Sequence, residues 1–331
     1  MIIAVDVMSG DNTPEEIAKG ALNAAKDFGI NIVLIGDKDA VSRYEDKENG
    51  ISVVTSTQVV TMEDDPLSAI KEKEDSSLAV GVNLVRMGKA DALVSPGNTG
   101  ALLSAASIRL RRVKGIRRAA IGTVVPLDKP FIMVDAGANI DVLAENLCQF
   151  AFMGALYAEK VLGVKKPRVA LLSNGTEQTK GLPVTKEAYA VLKDTELNFI
   201  GNVESRELPF GCCDVLVCDG FTGNIALKLI EGMGKFMSQT IKSIFKQNIF
   251  TKLAYLPCKN SIKKLRKKMD SRQTGGAPLL GVAKPVIKAH GNSDALGIYN
   301  AIRLAKTYTE SGIIKEFEKK FGRVNGDGTE E

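Results

Sequence analysis

The sequence holds a single histidine, His290, in 331 residues. With no Gly-x-Ser-x-Gly elbow beside it, a Ser-His-Asp hydrolase triad is not expected. No Gly-x-Gly-x-x-Gly follows a strand, and neither a Walker A loop nor His-Glu-x-x-His occurs, so the common dinucleotide, triphosphate and zinc-protease signatures are missing. Gly232-Met233-Gly234-Lys235 imitates part of a phosphate loop but falls inside a helical pattern. Cysteine is sparse: Cys148, Cys212, Cys213, Cys218 and Cys258 are odd in number and form no Cys-x-x-Cys pair. That spacing predicts neither a disulfide framework nor a metal site, and it points to a reducing cytoplasm. Cys212, Cys213 and Cys218 lie on or beside a strand, where a thiol reads as buried and inert rather than nucleophilic. Also missing is any apolar run near the ~20 residues of a membrane span. The chain opens into Ile2-Ile3-Ala4-Val5-Asp6 without a basic region or cleavage site, so no secretory signal is expected.

One stretch lacks a whole sign of charge. Lys and Arg total 44 against 39 Asp and Glu, a net of +5. From Met233 to Met269 there are ten Lys or Arg and no Asp or Glu, so the rest of the chain is net negative. A mildly acidic body thus carries one strongly basic element, which suits a partner with an acidic surface. The basic face lacks interleaved aromatics, so nucleic acid is not the expected partner.

The rest of the sequence is that of a globular chain. Hydrophobic residues at 44% and charged residues at 25% suit a single α/β domain over 1–331 or two intimate lobes. Ile2–Val7, Asn31–Gly36, Asp91–Ser95, Phe131–Asp135, Arg168–Ser173 and Asp214–Asp219 read as buried parallel strands. Helical patterns lie between them, opened by Thr13-Pro14 before Ile17–Phe28 and by Pro183 before Val184–Lys193. This order predicts a doubly wound sheet with helices on both faces. Within 233–270 a basic helical hairpin is predicted: one helix over Met233–Ile249, an apolar elbow over 249–256 closed by Pro257, and a second helix from about Asn260 to Asp270. The tail 322–331 reads as frayed.

Four predicted strands end in small-polar loops: Ser95-Pro96-Gly97-Asn98-Thr99-Gly100, Asp135-Ala136-Gly137-Ala138-Asn139, Ser173-Asn174-Gly175-Thr176-Glu177 and Asp219-Gly220-Phe221-Thr222-Gly223-Asn224. Strand carboxyl ends line the ligand crevice of an open α/β sheet. Glycine lets backbone N–H groups approach a ligand, and a helix N-terminus favours an anion. Such residues are also what any strand-to-helix turn uses, but four loops of one kind point to a site for phosphate or another oxyanion. His290 can bind that anion or make a structural hydrogen bond in a turn.

These loops carry a resemblance. Gly97-Asn98-Thr99-Gly100-Ala101-Leu102, Val134 to Asn139, Leu172 to Glu177 with Lys180-Gly181, Gly201 to Glu204, Val217 to Asn224, Gly275 to Gly281 and Ala289-His290-Gly291 occur in order. Together with Ala4-Val5-Asp6 and Gly10-Asp11, they make the chain similar to the bacterial acyl-ACP:phosphate acyltransferase family (PlsX, phosphate acyltransferase). It departs from that family at Ser9, Asn12, Pro96 and Ser205. The resemblance implies a three-layer α/β/α sandwich, Rossmann-like, as in phosphate acetyltransferases and isocitrate dehydrogenases. It implies a homodimer that moves a long-chain fatty acyl group from acyl carrier protein to inorganic phosphate without a cofactor. The acyl phosphate would go to the membrane glycerol-3-phosphate acyltransferase.

A thioester is already activated, so the protein must chiefly orient phosphate and stabilise the oxyanion. On the resembling loops, Lys180 is expected to neutralise phosphate and Asn224 to bond phosphate or the thioester oxygen. Asn98, Thr99, Asn139, Asn174, Thr176 and Thr222 are candidate donors, with Asp6, Asp135 and Asp219 orienting them. Two other readings stand beside this one: a short-chain acyl-CoA enzyme, and a non-enzymatic membrane-surface scaffold. The hairpin is expected to hold the protein on an anionic membrane surface through Phe250, Leu253, Tyr255 and Leu256, or to dock the carrier protein.

Overall fold

The structure, a computed structural model, describes residues 1–127, 129–268 and 270–322. Its strands are β1 (Ile2–Asp6), β2 (Asn31–Gly36), β3 (Ile51–Thr55), β4 (Ala92–Ser95), β5 (Ala120–Val125), β6 (Phe131–Val134), β7 (Val169–Ser173), β8 (Phe199–Glu204), β9 (Val215–Val217), β10 (Ala277–Leu280) and β11 (Val286–Lys288). The helices are α1 (Pro14–Phe28), α2 (Lys38–Val41), α3 (Pro66–Glu72), α4 (Ser77–Arg86), α5 (Thr99–Ala105), α6 (Ala144–Lys160), α7 (Pro183–Leu192), α8 (Gly220–Ile244), α9 (Ile249–Lys268), α10 (Ala295–Glu310) and α11 (Ile313–Phe321).

Period-two alternation divides each strand between two cores. Ile3 and Val5 of β1 face α1, α6, α10 and α11, whereas Ala4 faces α3, α4 and α5. The result is the three-layer α/β/α sandwich. Helix α1 starts where its sequence says it should: Thr13 accepts from the Glu16 N–H, Pro14 fills the first turn, and Gly29 closes the helix in the left-handed region. Gly20 lets α1 approach α10 closely, since a Cβ there would lie 2.4 Å from the Ala295 carbonyl oxygen.

The sheet is mixed rather than wholly parallel. Its order is β3-β2-β1-β4-β11-β10-β5-β6-β9-β7-β8. The six strands read from sequence fall into two parallel blocks, one around β1 and β4 and one around β6, β9 and β7. Between them β10 is antiparallel to both β11 and β5, and β5 is antiparallel to β6. The blocks therefore run in opposite directions, yet their register is staggered. Ser95 and Lys288, the last residues of β4 and β11, stand level with Ala277. Val134, the last of β6, is opposite Gly122, whose neighbour Ile121 is opposite Leu279. The carboxyl ends of both blocks consequently meet along β10 instead of lying on opposite edges.

The basic stretch differs in detail from its prediction. Helix α8 starts at Gly220, well before Met233, because Asp219 caps it and the apolar period continues back to the cap. The turn falls at 245–248, where Asn248 accepts from the Thr251 N–H at 3.0 Å. The apolar segment expected as an elbow is instead the first part of α9, which continues through Pro257. Phe245 and Tyr255 meet edge to face at 5.5 Å and tie the two helices together. Phe250, Leu253 and Leu256 are exposed, but Tyr255 is half-buried by that contact. Apart from Gly322, the tail read as frayed lies outside the described residues, as does Met269.

Candidate active site

Two buried carboxylates fix the backbone where the blocks meet. Asp6 accepts from the N–H groups of Met8 and Ser9, both at 3.2 Å, and from the Ser95 hydroxyl at 2.7 Å. It thereby joins the loop after β1 to the loop after β4. Asp135 accepts from the N–H groups of Ile121, Gly137, Ala138 and Asn139 and from the Asn139 amide. Burial pushes its carboxyl above the usual range, against the pull of these donors. Asp219 caps α8, accepting from both the N–H and the hydroxyl of Thr222.

Several expected donors are spent on this framework. Asn98 caps α5 through its amide oxygen, and its amide nitrogen donates to the carbonyls of Thr61, Met62 and Asp64. The Asn139 amide donates to Asp135 and to the Ala119 carbonyl. The Thr222 hydroxyl donates to Asp219. These three are held as structural groups, because a capped, glycine-rich turn satisfies its own polar atoms first.

Thr99, Asn224 and His290 do come together. They line one cavity of about 470 Å³ with residues from both blocks, including Ala136 and Gly137 after β6 and Gly291 and Asn292 after β11. The His290 Nδ1 accepts from the Asn292 N–H at 3.3 Å, which places the proton of the neutral ring on Nε2. The structure does not bring Lys180, Asn174 or Thr176 into these walls. All three are exposed on the loop after β7, where the Asn174 amide oxygen accepts from Gly181 N–H at 2.9 Å. Lys180 makes no ion pair among the described residues.

The cavity has cations that the sequence reading missed. Lys228, Arg272 and Lys288 line it against one carboxylate, Glu231. Lys288 donates to the carbonyls of Pro96 and Ala289, and burial pulls its ammonium down to about 8 despite Asp11 and Asp6 nearby. Arg272 is held by Asp270 and by Asp294, the cap of α10. Their signals were faint: Lys288 ends a strand just before His290, and Lys228 lies one helical turn beyond Asn224. A cavity at strand carboxyl ends, lined by neutral donors and by three cations of which Arg272 is already paired with two carboxylates, can hold an oxyanion. Among the described residues no cysteine lines the cavity, and burial pushes the Cys213 and Cys218 thiols up and Cys148 to about 11.

Comparison with known proteins shows the family and the fold. Residues 1–316 match the family described as fatty acid synthesis protein. The phosphate acyltransferase of Thermoanaerobacterium thermosaccharolyticum is 44% identical over 328 residues, 99% of this chain and 98% of its own. That of Thermoanaerobacter pseudethanolicus is 45% identical over 322 residues, 97% of each. Among solved structures, a phosphotransacetylase from Streptococcus pyogenes shares the fold at a TM-score of 0.61 and 17% identity, covering 93% of this chain and 94% of its own. A branched-chain phosphotransacylase from Enterococcus faecalis does so at 0.60 and 17%, covering 93% and 99%. The chain belongs to the fatty acid synthesis protein family, the family of these bacterial phosphate acyltransferases.

Proposed function

We propose that the protein transfers a long-chain fatty acyl group from acyl carrier protein to inorganic phosphate. The observation that carries this is the cavity where Thr99, Asn224 and His290 face Lys228, Arg272 and Lys288. Phosphate held there by the cations attacks the thioester carbonyl carbon through one oxygen. The C–O bond forms, Asn224 donates to the developing oxyanion, and the C–S bond breaks. Monohydrogen phosphate gives up its proton and the departing thiolate takes one, so acyl phosphate and free thiol result. Orientation contributes ~7–11 kcal/mol to such a reaction and one oxyanion donor ~3–4 kcal/mol. Lys180, on its exposed loop, meets phosphate on the way in.

The hairpin serves the same reading. Helix α9 exposes Phe250, Leu253 and Leu256 beside Lys252 and Lys259, a pairing suited to an anionic membrane surface. Among the described residues no helix is long and apolar enough to cross a membrane, so attachment would be peripheral. A homodimer and docking of the acidic carrier protein complete the proposal. The test is direct: purified protein with hexadecanoyl carrier protein and phosphate should yield hydroxylamine-reactive acyl phosphate without added metal. Product from acetyl-CoA alone would make this a short-chain enzyme, and none from either donor would reject acyl transfer.

A further inference from the structure

An apolar arm adjoins the main cavity. A narrower space of about 50 Å³ runs between the end of β5 and the inner face of α8, with Val125 and Leu127 on one side and Leu227, Ile230 and Gly234 on the other. Thr123, Leu227, Glu231 and Thr274 belong to both walls, so the two spaces adjoin across these residues. Asn224, Leu227, Glu231 and Gly234 step along one face of α8.

We infer that this arm is the acyl-chain subsite and that Gly234 marks how deep a chain runs. The inference rests on the acyl-transfer reading. If the thioester carbonyl lies at Asn224, the chain attached to it must leave the polar cavity, and the arm is the apolar space that opens about one helical turn further on, at Leu227. Glu231 stands at the junction and repels phosphate from it, which keeps the two substrates in their own halves. Gly234 is ten residues beyond Asn224 (234 against 224), a distance of about 15 Å along the helix at ~1.5 Å per residue. An extended chain advances ~1.3 Å per bond, as a backbone does over its three bonds of ~3.8 Å, so Gly234 lies about a dozen carbons from the carbonyl. The arm as it stands holds only part of such a chain. Helix α8 can give way, because of its 25 residues only Gly220, Gly223 and Gly234 are buried. A glycine inside a helix costs ~1 kcal/mol against alanine, and an open arm gives Gly234 a use.

Gly234→Leu should lower kcat/KM for hexadecanoyl carrier protein by ~10-fold or more while leaving butanoyl carrier protein unchanged. Gly232→Leu is the control. It sits on the same helix, has nothing within 4 Å of a new Cβ, and should change neither donor. Leu127→Phe narrows the arm from the opposite wall and should reproduce the selective loss, so the inference does not hang on one variant. Melting curves identify the variants that are folded. An unchanged chain-length profile in either folded variant, or an equal loss on both donors, overturns the subsite. A wild-type protein that uses butanoyl but not hexadecanoyl carrier protein also overturns it. Wild type inactive with every donor rejects the reaction itself, which is a separable failure.

Discussion

Burial holds the Lys288 ammonium down at about 8, so its charge is lost within the range where an enzyme is commonly assayed. Below that value it is a cation that phosphate can meet; above it, a neutral amine. The KM for phosphate should therefore rise as pH climbs through about 8, and Lys288→Arg should move that limb upward because arginine keeps its charge. Folding stability runs the other way. The unfolded lysine keeps its proton to ~10.4, so between these values the unfolded state binds more protons and rising pH favours the fold. Loss of phosphate binding above pH 8 thus cannot be unfolding at this residue. Asn224→Ala should cost at least ~100-fold in kcat/KM, the loss of one oxyanion donor. Lys180→Ala, outside the cavity walls, should raise KM for phosphate and spare kcat.

At the scale of elements, α1 and α10 show how packing overrides propensity. Gly20→Ala would gain ~1 kcal/mol of helix propensity. Its methyl, however, would sit 2.4 Å from the Ala295 carbonyl oxygen, and overpacking of this kind costs ~1–3 kcal/mol. The clash should win, lowering the denaturant midpoint without changing the slope. The same tension between local pattern and tertiary context governs what could be read from sequence. Strands such as Asn31–Gly36 announce themselves because both faces are buried and the apolar run is continuous. β10 does not: Ala-Pro-Leu-Leu after two glycines looks like a loop, and only its partners make it a strand. Asn224 was legible as a glycine-flanked polar residue after a strand. Asn98 and Asn139 looked the same, since a sequence does not say which amides the turn itself consumes. Lys288 was hidden because a lysine closing a strand usually faces solvent.

Across the whole molecule the charge is uneven, with the basic excess gathered on the outer part of α8 and on α9. Each Lys or Arg near an anionic leaflet contributes ~1 kcal/mol, screened by salt. The protein should sediment with anionic vesicles at low ionic strength and be released as salt rises. Leu253→Glu with Leu256→Glu should abolish sedimentation and leave turnover of soluble donors largely intact. Binding that survives this double change would move the contact away from α9.

The placement of β10 and β11 also sets an order of assembly. They fill the centre of the sheet between β4 and β5, yet in the chain they follow α9. A nascent polypeptide that has left the ribosome only as far as α9 holds two separate open sheets, with β4 and β5 as unpaired inner edges. Such edges are templates for pairing with other chains, and strands distant in sequence are slow to join. Exposure to aggregation, and demand for chaperones, should therefore peak late in synthesis and end when the final strand pair slots in.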